Sequence, residues 1–136
     1  MAIQFNQLRD NGTLVGVYGT LKDGQPNHHL LGDSMLVEEG WLAGLALHDL
    51  GPFPGAVIEA NEQPIFVEEY SVSDAVLAKL DKLESYDPNN INDSLFIRKY
   101  FSNSDGLDCW IYLFNEDTNN YPLINTGIWV GEGINF

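Results

Sequence analysis

Two features of the sequence have residue types suited to proton transfer and to anion binding. Glu84 follows a helical pattern of apolar residues and falls on its apolar side, four residues after Leu80 and seven after Leu77. The glycine loop, Tyr18–Leu21, follows an apolar run and contains Gly19. A carboxylate that loses hydration near the negative end of a helix has a raised pKa, which suits acid–base catalysis near neutral pH. Backbone N–H groups of a glycine loop can bind a carboxylate or a developing oxyanion.

Each feature also has a purely structural interpretation. Glu84 can turn outward at the helix end or pair with an arginine, and the loop around Gly19 can be a tight turn. Gly16, Gly19 and Gly24 match neither the dinucleotide-binding fingerprint nor the phosphate-binding loop. The residues alone therefore leave the chemistry of both features open.

The other reactive side chains give weaker signals. His28 and His29 are adjacent and would diverge on a helix, and His48 is isolated, so we expect no metal site. No serine stands in the Gly-x-Ser-x-Gly context of a hydrolase nucleophile. The single cysteine, Cys109, lies in an apolar run and is interpreted as a buried structural thiol rather than as a nucleophile.

Glu68 and Glu69 end a strand-like run, in which neighbouring side chains point to opposite faces. One of them can therefore be a second buried acid, or both can be solvated. The sequence favours the solvated pair.

Short strands dominate the predicted secondary structure around these residues. Leu14–Tyr18 is predicted as a buried first strand that ends at the glycine loop, and His28–Leu31 as a short helical piece. Further strand-like runs are separated by turn residues: Met35–Leu42, Leu45–Leu50, Ala56–Ala60, Ile65–Val72, Leu95–Phe101 and Leu107–Phe114. The last two runs form a predicted hairpin. Strands of this length and spacing predict a barrel or a strongly bent sheet.

One long helix is predicted, from about Ser73 to Glu84, with Ser73 or Asp74 as its N-cap. Its apolar face should pack against the sheet and consists of Val76, Leu77, Leu80 and Leu83. The fold class is therefore predicted as α+β, a small bent mixed β-barrel with one main helix and short helical pieces. We expect one domain over residues 1–136.

The charge balance excludes several classes of partner. Six Lys and Arg against twenty Asp and Glu give a formal net charge of −14, which argues against nucleic acid and anionic membranes as partners. No apolar run reaches the ~18 residues of a membrane span, and the N-terminus lacks the pattern of a secretory signal. We therefore expect a soluble cytoplasmic protein, of an oligomeric state that the sequence leaves open.

Several specific stretches follow one another along the chain. The stretch Val17–Lys22, which contains the glycine loop, continues through Gly24–His28. An aromatic-proline segment follows at Phe53–Val57. The predicted helix ends in Leu80–Glu84, and an aromatic strand lies at Cys109–Tyr112. In residue type and in order, these stretches resemble the signature of the gamma-glutamylcyclotransferase-like superfamily. They are most similar to its gamma-glutamylamine cyclotransferase branch.

The resemblance implies an intramolecular aminolysis. The α-amine of a γ-glutamyl group attacks its own γ-carbonyl, which expels an amine and forms 5-oxoproline. By this resemblance Glu84 is the general acid/base, in a cavity between the glycine loop and the helix end. The implied substrate-binding residues are Tyr18, Gly19, Thr20, Leu21 and Tyr112. The substrate is a small γ-glutamyl molecule, and the reaction calls for no metal and no organic cofactor.

Two positions depart from the family's pattern. Phe96 stands where the family has the tyrosine of a Tyr-x-Arg motif, which ends here in Arg98, so a hydroxyl is missing. Val67 stands where a glycine usually precedes the acidic residue, here Glu68. The missing hydroxyl removes any substrate contact that the family makes through it.

Two other functions stay open at this point. The same pocket can serve a non-catalytic module that binds or regulates through a small molecule, and the acidic surface can occupy the basic face of a partner. The sequence does not identify the leaving amine, although the negative field mildly favours a cationic one.

Overall fold

The computed structural model describes residues 12–60, 62–102 and 108–131, which form a mixed β-sheet and one α-helix. The strands in these ranges are β1 (Thr13–Val17), β2 (Met35–Leu42), β3 (Leu45–Asp49), β4 (Pro54–Ile58), β5 (Ile65–Val72), β6 (Phe96–Ser102) and β7 (Asp108–Phe114). Helix α1 spans Asp74–Leu83, and short 3₁₀ turns span His28–Leu31 and Ile91–Asp93. The sheet curls into a half-barrel, which confirms the predicted α+β class with one main helix and short helical pieces. Within the described ranges, no helix combines the length and the apolarity needed to cross a membrane.

Strand β7 lies at the centre of the sheet, whose order is β2-β5-β1-β7-β4-β3. Its antiparallel partner β6 pairs with it over its whole length, which confirms the predicted hairpin, although the connecting residues 103–107 are outside the described ranges. The other edge of β7 is shared by two parallel strands: β1 lies opposite Trp110 and Ile111, and β4 lies opposite Leu113. β4 pairs with the part of β7 that directly follows the part paired with β1. The chain must therefore leave the sheet after β1. The glycine loop begins at this exit.

Both faces of β7 are apolar, as its sequence predicts. Cys109, Ile111 and Leu113 face one core cluster, which includes the fully buried Trp129. The alternate residues of β7 face a second cluster, which includes Leu80 of α1. The strand is therefore covered by the barrel interior on one side and by the helix on the other.

Helix α1 has the predicted bounds. The Ser73 side chain caps it by accepting a hydrogen bond from the N–H of Val76 at 3.2 Å, and Glu84 is its C-cap residue. Leu80 is fully buried, but Leu83, predicted to pack against the sheet, is 37% exposed. The prediction for Leu83 was wrong because the last turn of the helix extends to the wall of a cavity, which Leu83 lines.

The interpretation of Glu68 and Glu69 as a solvated pair was also wrong, because both are buried. Their strand, β5, contributes Ile65 and Val67 to one core cluster and Tyr70 and Val72 to the other, so both of its faces are covered. Glu68 Oε1 accepts hydrogen bonds of 2.9 Å from the backbone N–H of Asp23 and from the Tyr70 hydroxyl. Glu68 therefore supports the chain that follows the glycine loop.

The C-terminal segment, residues 123–131, packs onto that same part of the chain. The buried ammonium of Lys22 donates a hydrogen bond to the backbone carbonyl of Trp129 at 2.5 Å, and the Gln25 amide donates to that of Val130 at 2.8 Å. Burial lowers the pKa of Lys22, and the nearby Glu68 carboxylate opposes that effect. The C-terminal segment thus packs beside the residues that follow the glycine loop.

Candidate active site

A cavity of about 130 Å³ lies between the glycine loop and the C-terminal end of α1, the position expected from the sequence. All six predicted site residues line it: Tyr18, Gly19, Thr20, Leu21, Glu84 and Tyr112. The structure therefore brings together the two features that are more than sixty residues apart in sequence. The roles assigned to these residues stay predictions.

The Tyr18 hydroxyl forms hydrogen bonds with both β4 and β7. It donates a hydrogen bond to the backbone carbonyl of Tyr112 at 2.6 Å and accepts one from the N–H of Ala56 at 3.1 Å. Burial raises the pKa of Tyr18, and the Glu84 carboxylate raises it further, so the phenol stays neutral. Tyr18 thus satisfies one backbone acceptor, the carbonyl of Tyr112, and one backbone donor, the N–H of Ala56.

The glycine loop has backbone donors beside the cavity that are unpaired within the described ranges. The carbonyl oxygens of Gly19 and Thr20 accept hydrogen bonds from the N–H groups of Lys22 and Asn27, at 3.0 and 2.8 Å. The N–H groups of Gly19, Thr20 and Leu21 have no acceptor among the described residues. Three consecutive amide donors beside a cavity are suited to a carboxylate or an oxyanion.

Gly19 permits a close approach between this loop and β4. A Cβ atom at this position would lie 2.7 Å from Cγ and 2.8 Å from Cδ of Pro54, closer than real Cβ atoms come. Pro54 lines the cavity as well. Glycine is therefore required here by space rather than by a left-handed backbone.

Glu84 presents the one carboxyl group among the described residues that line the cavity. Burial raises its pKa to about 7, and the Asp81 carboxylate adds to the rise. Its side chain accepts no hydrogen bond within the described ranges, while its backbone N–H donates to Leu80 at 3.0 Å. A carboxyl group that titrates near neutral pH and has no protein donor is available to exchange protons with a bound molecule.

A second acid, Asp81, lies near the site and was not among the predicted site residues. Its carboxylate accepts two hydrogen bonds from Arg98, from Nε at 2.7 Å and from Nη2 at 3.0 Å. It also accepts one from the Tyr112 hydroxyl at 2.6 Å. The spacing Asp-x-x-Glu at the helix end was a readable signal, but the pairing with a strand residue was not.

Apolar side chains form the rest of the cavity wall: Phe53, Pro54, Leu83, Leu95 and Phe96. Phe96, which replaces the tyrosine of the related pattern, is 3% exposed and packs its ring 5.6 Å from that of Phe114. The missing hydroxyl is therefore replaced by buried aromatic packing.

The remaining candidate groups lie away from the cavity lining. His28 supports the glycine loop through Nδ1, which is 2.9 Å from the Leu21 carbonyl oxygen. In the described part of the chain, no three His, Cys, Asp or Glu side chains are grouped as a metal site. Cys109 is buried, as predicted, and burial raises the pKa of its thiol to about 12. Such a thiol is not an available nucleophile.

Comparisons with known proteins agree with the resemblance seen in the sequence. The family model described as gamma-glutamyl cyclotransferase, AIG2-like, matches residues 15–131. A Vibrio cholerae protein provisionally named a gamma-glutamylcyclotransferase is 36% identical over 117 residues, covering 85% of this chain and 94% of its own length. The gamma-L-glutamyl-butirosin B gamma-glutamyl cyclotransferase of Niallia circulans is 31% identical over 106 residues, covering 74% and 66%. The solution structure of YtfP from Escherichia coli has a TM-score of 0.67 at 27% identity, covering 87% of this chain and 96% of that chain.

Proposed function

This chain belongs to the gamma-glutamyl cyclotransferase, AIG2-like family, and on that premise we propose that it releases 5-oxoproline from γ-glutamyl amines. The α-nitrogen of the substrate forms a bond to its own γ-carbonyl carbon, and the bond from that carbon to the leaving nitrogen breaks. The α-nitrogen loses two protons in passing from ammonium to lactam N–H, and both end on the leaving nitrogen, which departs as an ammonium, so the reaction consumes neither water nor a co-reactant. No metal or organic cofactor is needed, and this stays a prediction.

Glu84 acts as the proton carrier in this reaction. Its ionised form takes a proton from the α-ammonium, and its protonated form returns one to the leaving nitrogen. Both steps require a group whose two forms are populated near neutral pH, and a pKa of about 7 meets that requirement. The location of this carboxyl in the cavity wall is the observation that carries the proposal.

The glycine loop binds the negatively charged parts of the substrate. The N–H groups of Gly19, Thr20 and Leu21 lack protein acceptors, so they can bind the α-carboxylate or the oxygen of the tetrahedral intermediate. Tyr112 also lines the cavity and limits the volume in which the glutamyl chain can fold. Holding the folded conformer lowers the entropic barrier to closing a five-membered ring.

The lining favours an amine over an amino acid as the leaving group. A leaving amino acid carries a carboxylate, and no described residue that lines the cavity is Lys, Arg or His. Glu84 would repel such a carboxylate, whereas the apolar wall around Phe53 and Leu83 can contact an alkyl chain. Uncompensated charge in a partly buried site is costly.

The test compares wild type with E84Q on γ-glutamyl amines, γ-glutamyl amino acids and ε-linked γ-glutamyl-lysine, with 5-oxoproline as the readout. We expect wild type to prefer the amines and E84Q to lose at least roughly 100-fold in kcat while still binding substrate, because only the proton carrier is removed. The matched control is E62Q, which changes an exposed glutamate and should keep the wild-type kcat.

Two outcomes contradict the proposal. Unchanged turnover by E84Q removes Glu84 from the chemistry. Binding of a γ-glutamyl compound by wild type without any release of 5-oxoproline favours the non-catalytic module instead.

A further inference from the structure

Asp81 lies outside the cavity lining but is connected to its walls. It precedes Glu84 by three residues, so both carboxyl groups lie on the same side of the helix end. The Arg98 guanidinium, held in a forked contact with Asp81, lies 5.2 Å from the ring centroid of Tyr86 and 4.9 Å from that of Trp110. The Asp81 carboxylate is therefore fixed in position from β6 and β7 as well as from its own helix.

A chain of hydrogen bonds leads from Asp81 to the glycine loop. The Tyr112 hydroxyl donates to Asp81, and the Tyr112 carbonyl accepts from the hydroxyl of Tyr18, the first residue of the loop. The Ala56 N–H completes the chain by donating to the Tyr18 hydroxyl. The helix end, β7, the loop and β4 are thus joined through polar contacts of Tyr18 and Tyr112, which both line the cavity.

We propose that Asp81 is a positioning residue, which through Tyr112 sets the position of the helix end that carries Glu84 relative to the glycine loop. This inference rests on the proposed function, because it concerns the reaction at that site. The hydrogen bond from Tyr112 fixes the ring that faces the substrate, and the forked contact with Arg98 prevents the helix end from moving. A displacement of about 1 Å at such a site can cost on the order of 100-fold in rate.

Asp81 also acts on Glu84 through its charge. The titratable groups that face Glu84 are Tyr18 from the loop, Tyr112 from β7 and Asp81 from its own helix. The two phenols stay neutral, and Arg98 of β6 interacts with the Asp81 carboxylate. Removal of the Asp81 charge therefore lowers the pKa of Glu84, and the pH at which the free enzyme gains its base form falls with it.

The test measures kcat, KM and the pH profile of kcat/KM for D81N on the best substrate. We expect kcat to fall by roughly 10- to 100-fold with a smaller change in KM, and the rising limb of kcat/KM to move to lower pH. A loss of stability alone would not move that limb. D74N, which changes an exposed aspartate in the first turn of the same helix, should keep the wild-type kcat and limb.

Y112F separates the positioning effect of Asp81 from its effect through charge. The variant removes the hydrogen bond from Tyr112 to Asp81 and keeps the charges of Asp81 and Glu84. It should lower kcat and leave the limb in place. D81N with wild-type kcat and limb, even at a lower melting temperature, overturns the inference. If D81N does not fold, Y112F decides: wild-type kcat overturns the inference, and reduced kcat at an unchanged melting temperature supports it.

The failure of this inference is distinct from that of the proposed function. Absence of 5-oxoproline release by wild type overturns the proposed function and this inference with it. Turnover by wild type that D81N and Y112F leave unchanged overturns this inference alone.

Discussion

Glu84 is held where its neutral form is favoured, although the proposed reaction must begin from its ionised form. Burial and the Asp81 charge both raise the pKa of Glu84, to about 7. In an unfolded chain a glutamate titrates near 4.3. The folded protein therefore binds more protons than the unfolded chain between these two pH values.

This difference predicts a pH dependence of stability. Because the folded pKa is raised, the contribution of Glu84 is fully present below about pH 4 and is lost as the pH rises through about 7. E84Q has no such group, so its free energy of unfolding should exceed that of wild type by an amount that grows between these limits. We expect on the order of 1–3 kcal/mol at pH 8.

Denaturant unfolding of both proteins at a series of pH values measures this difference. All other titrating groups are common to the two proteins and cancel in the comparison, apart from groups coupled to Glu84 itself. A difference that stays constant from pH 4 to 8 would contradict a raised pKa.

The limits of sequence prediction are clear at single residues. Glu84 was predicted because helical spacing from Leu77 and Leu80 fixes the direction of its side chain. Asp81 was missed because its importance comes from Arg98 and Tyr112, which reach it from separate strands. Burial of Glu69 was missed because it depends on core packing against both faces of β5, which is a property of the whole fold.

The position of the glycine loop depends on the start of β4. Gly19 has no side chain, so the loop backbone lies directly against Pro54. The Pro54 ring occupies the space that a Cβ atom on Gly19 would need. The bounds of both elements were predicted to within about two residues, since turn residues mark them. The contact between the loop and β4 was not predicted. It depends on the parallel pairing of β1 and β4 with β7, which lies much later in the sequence, and such pairing leaves no local signal.

This contact makes a prediction for G19A. The added methyl group should push the loop away from Pro54, which displaces the amide donors and lowers kcat/KM by roughly 10- to 100-fold. The double variant G19A/P54A removes the two ring atoms that the methyl group meets, so it should recover part of that loss. P54A alone provides the reference for the double-mutant cycle.

Steady-state kinetics of the four proteins on one γ-glutamyl substrate measure the coupling between the two positions. Additive effects of G19A and P54A would show that the contact does not hold the loop in place.

At the scale of the whole molecule, the C-terminal segment is joined to the residues that follow the glycine loop. Lys22 and Gln25 both donate to backbone carbonyls of the C-terminal segment, the first in a buried and the second in an exposed position. The two hydrogen bonds connect the same parts of the chain and differ in their access to water and in the charge of the donor. Comparing them tests what the buried, charged contact contributes.

K22M should lower the free energy of unfolding by about 1–3 kcal/mol, because it leaves the buried Trp129 carbonyl without its donor and Glu68 without a nearby cation. Q25A should cost no more than about 0.5 kcal/mol, since water can replace the exposed amide. Denaturant unfolding at one pH compares them. Equal losses would show that burial of the Lys22 contact is energetically unimportant.

The late place of β7 in the chain has a consequence for the protein while it is being synthesised. The glycine loop leaves the ribosome early and Glu84 follows, but β7, which pairs with the strands on both sides of the loop, is translated after both. A nascent chain that stops before Asp108 therefore contains the amide donors and the acid without a common frame to hold them. Activity should therefore appear only once β7 has been translated through Phe114 and has emerged from the ribosome.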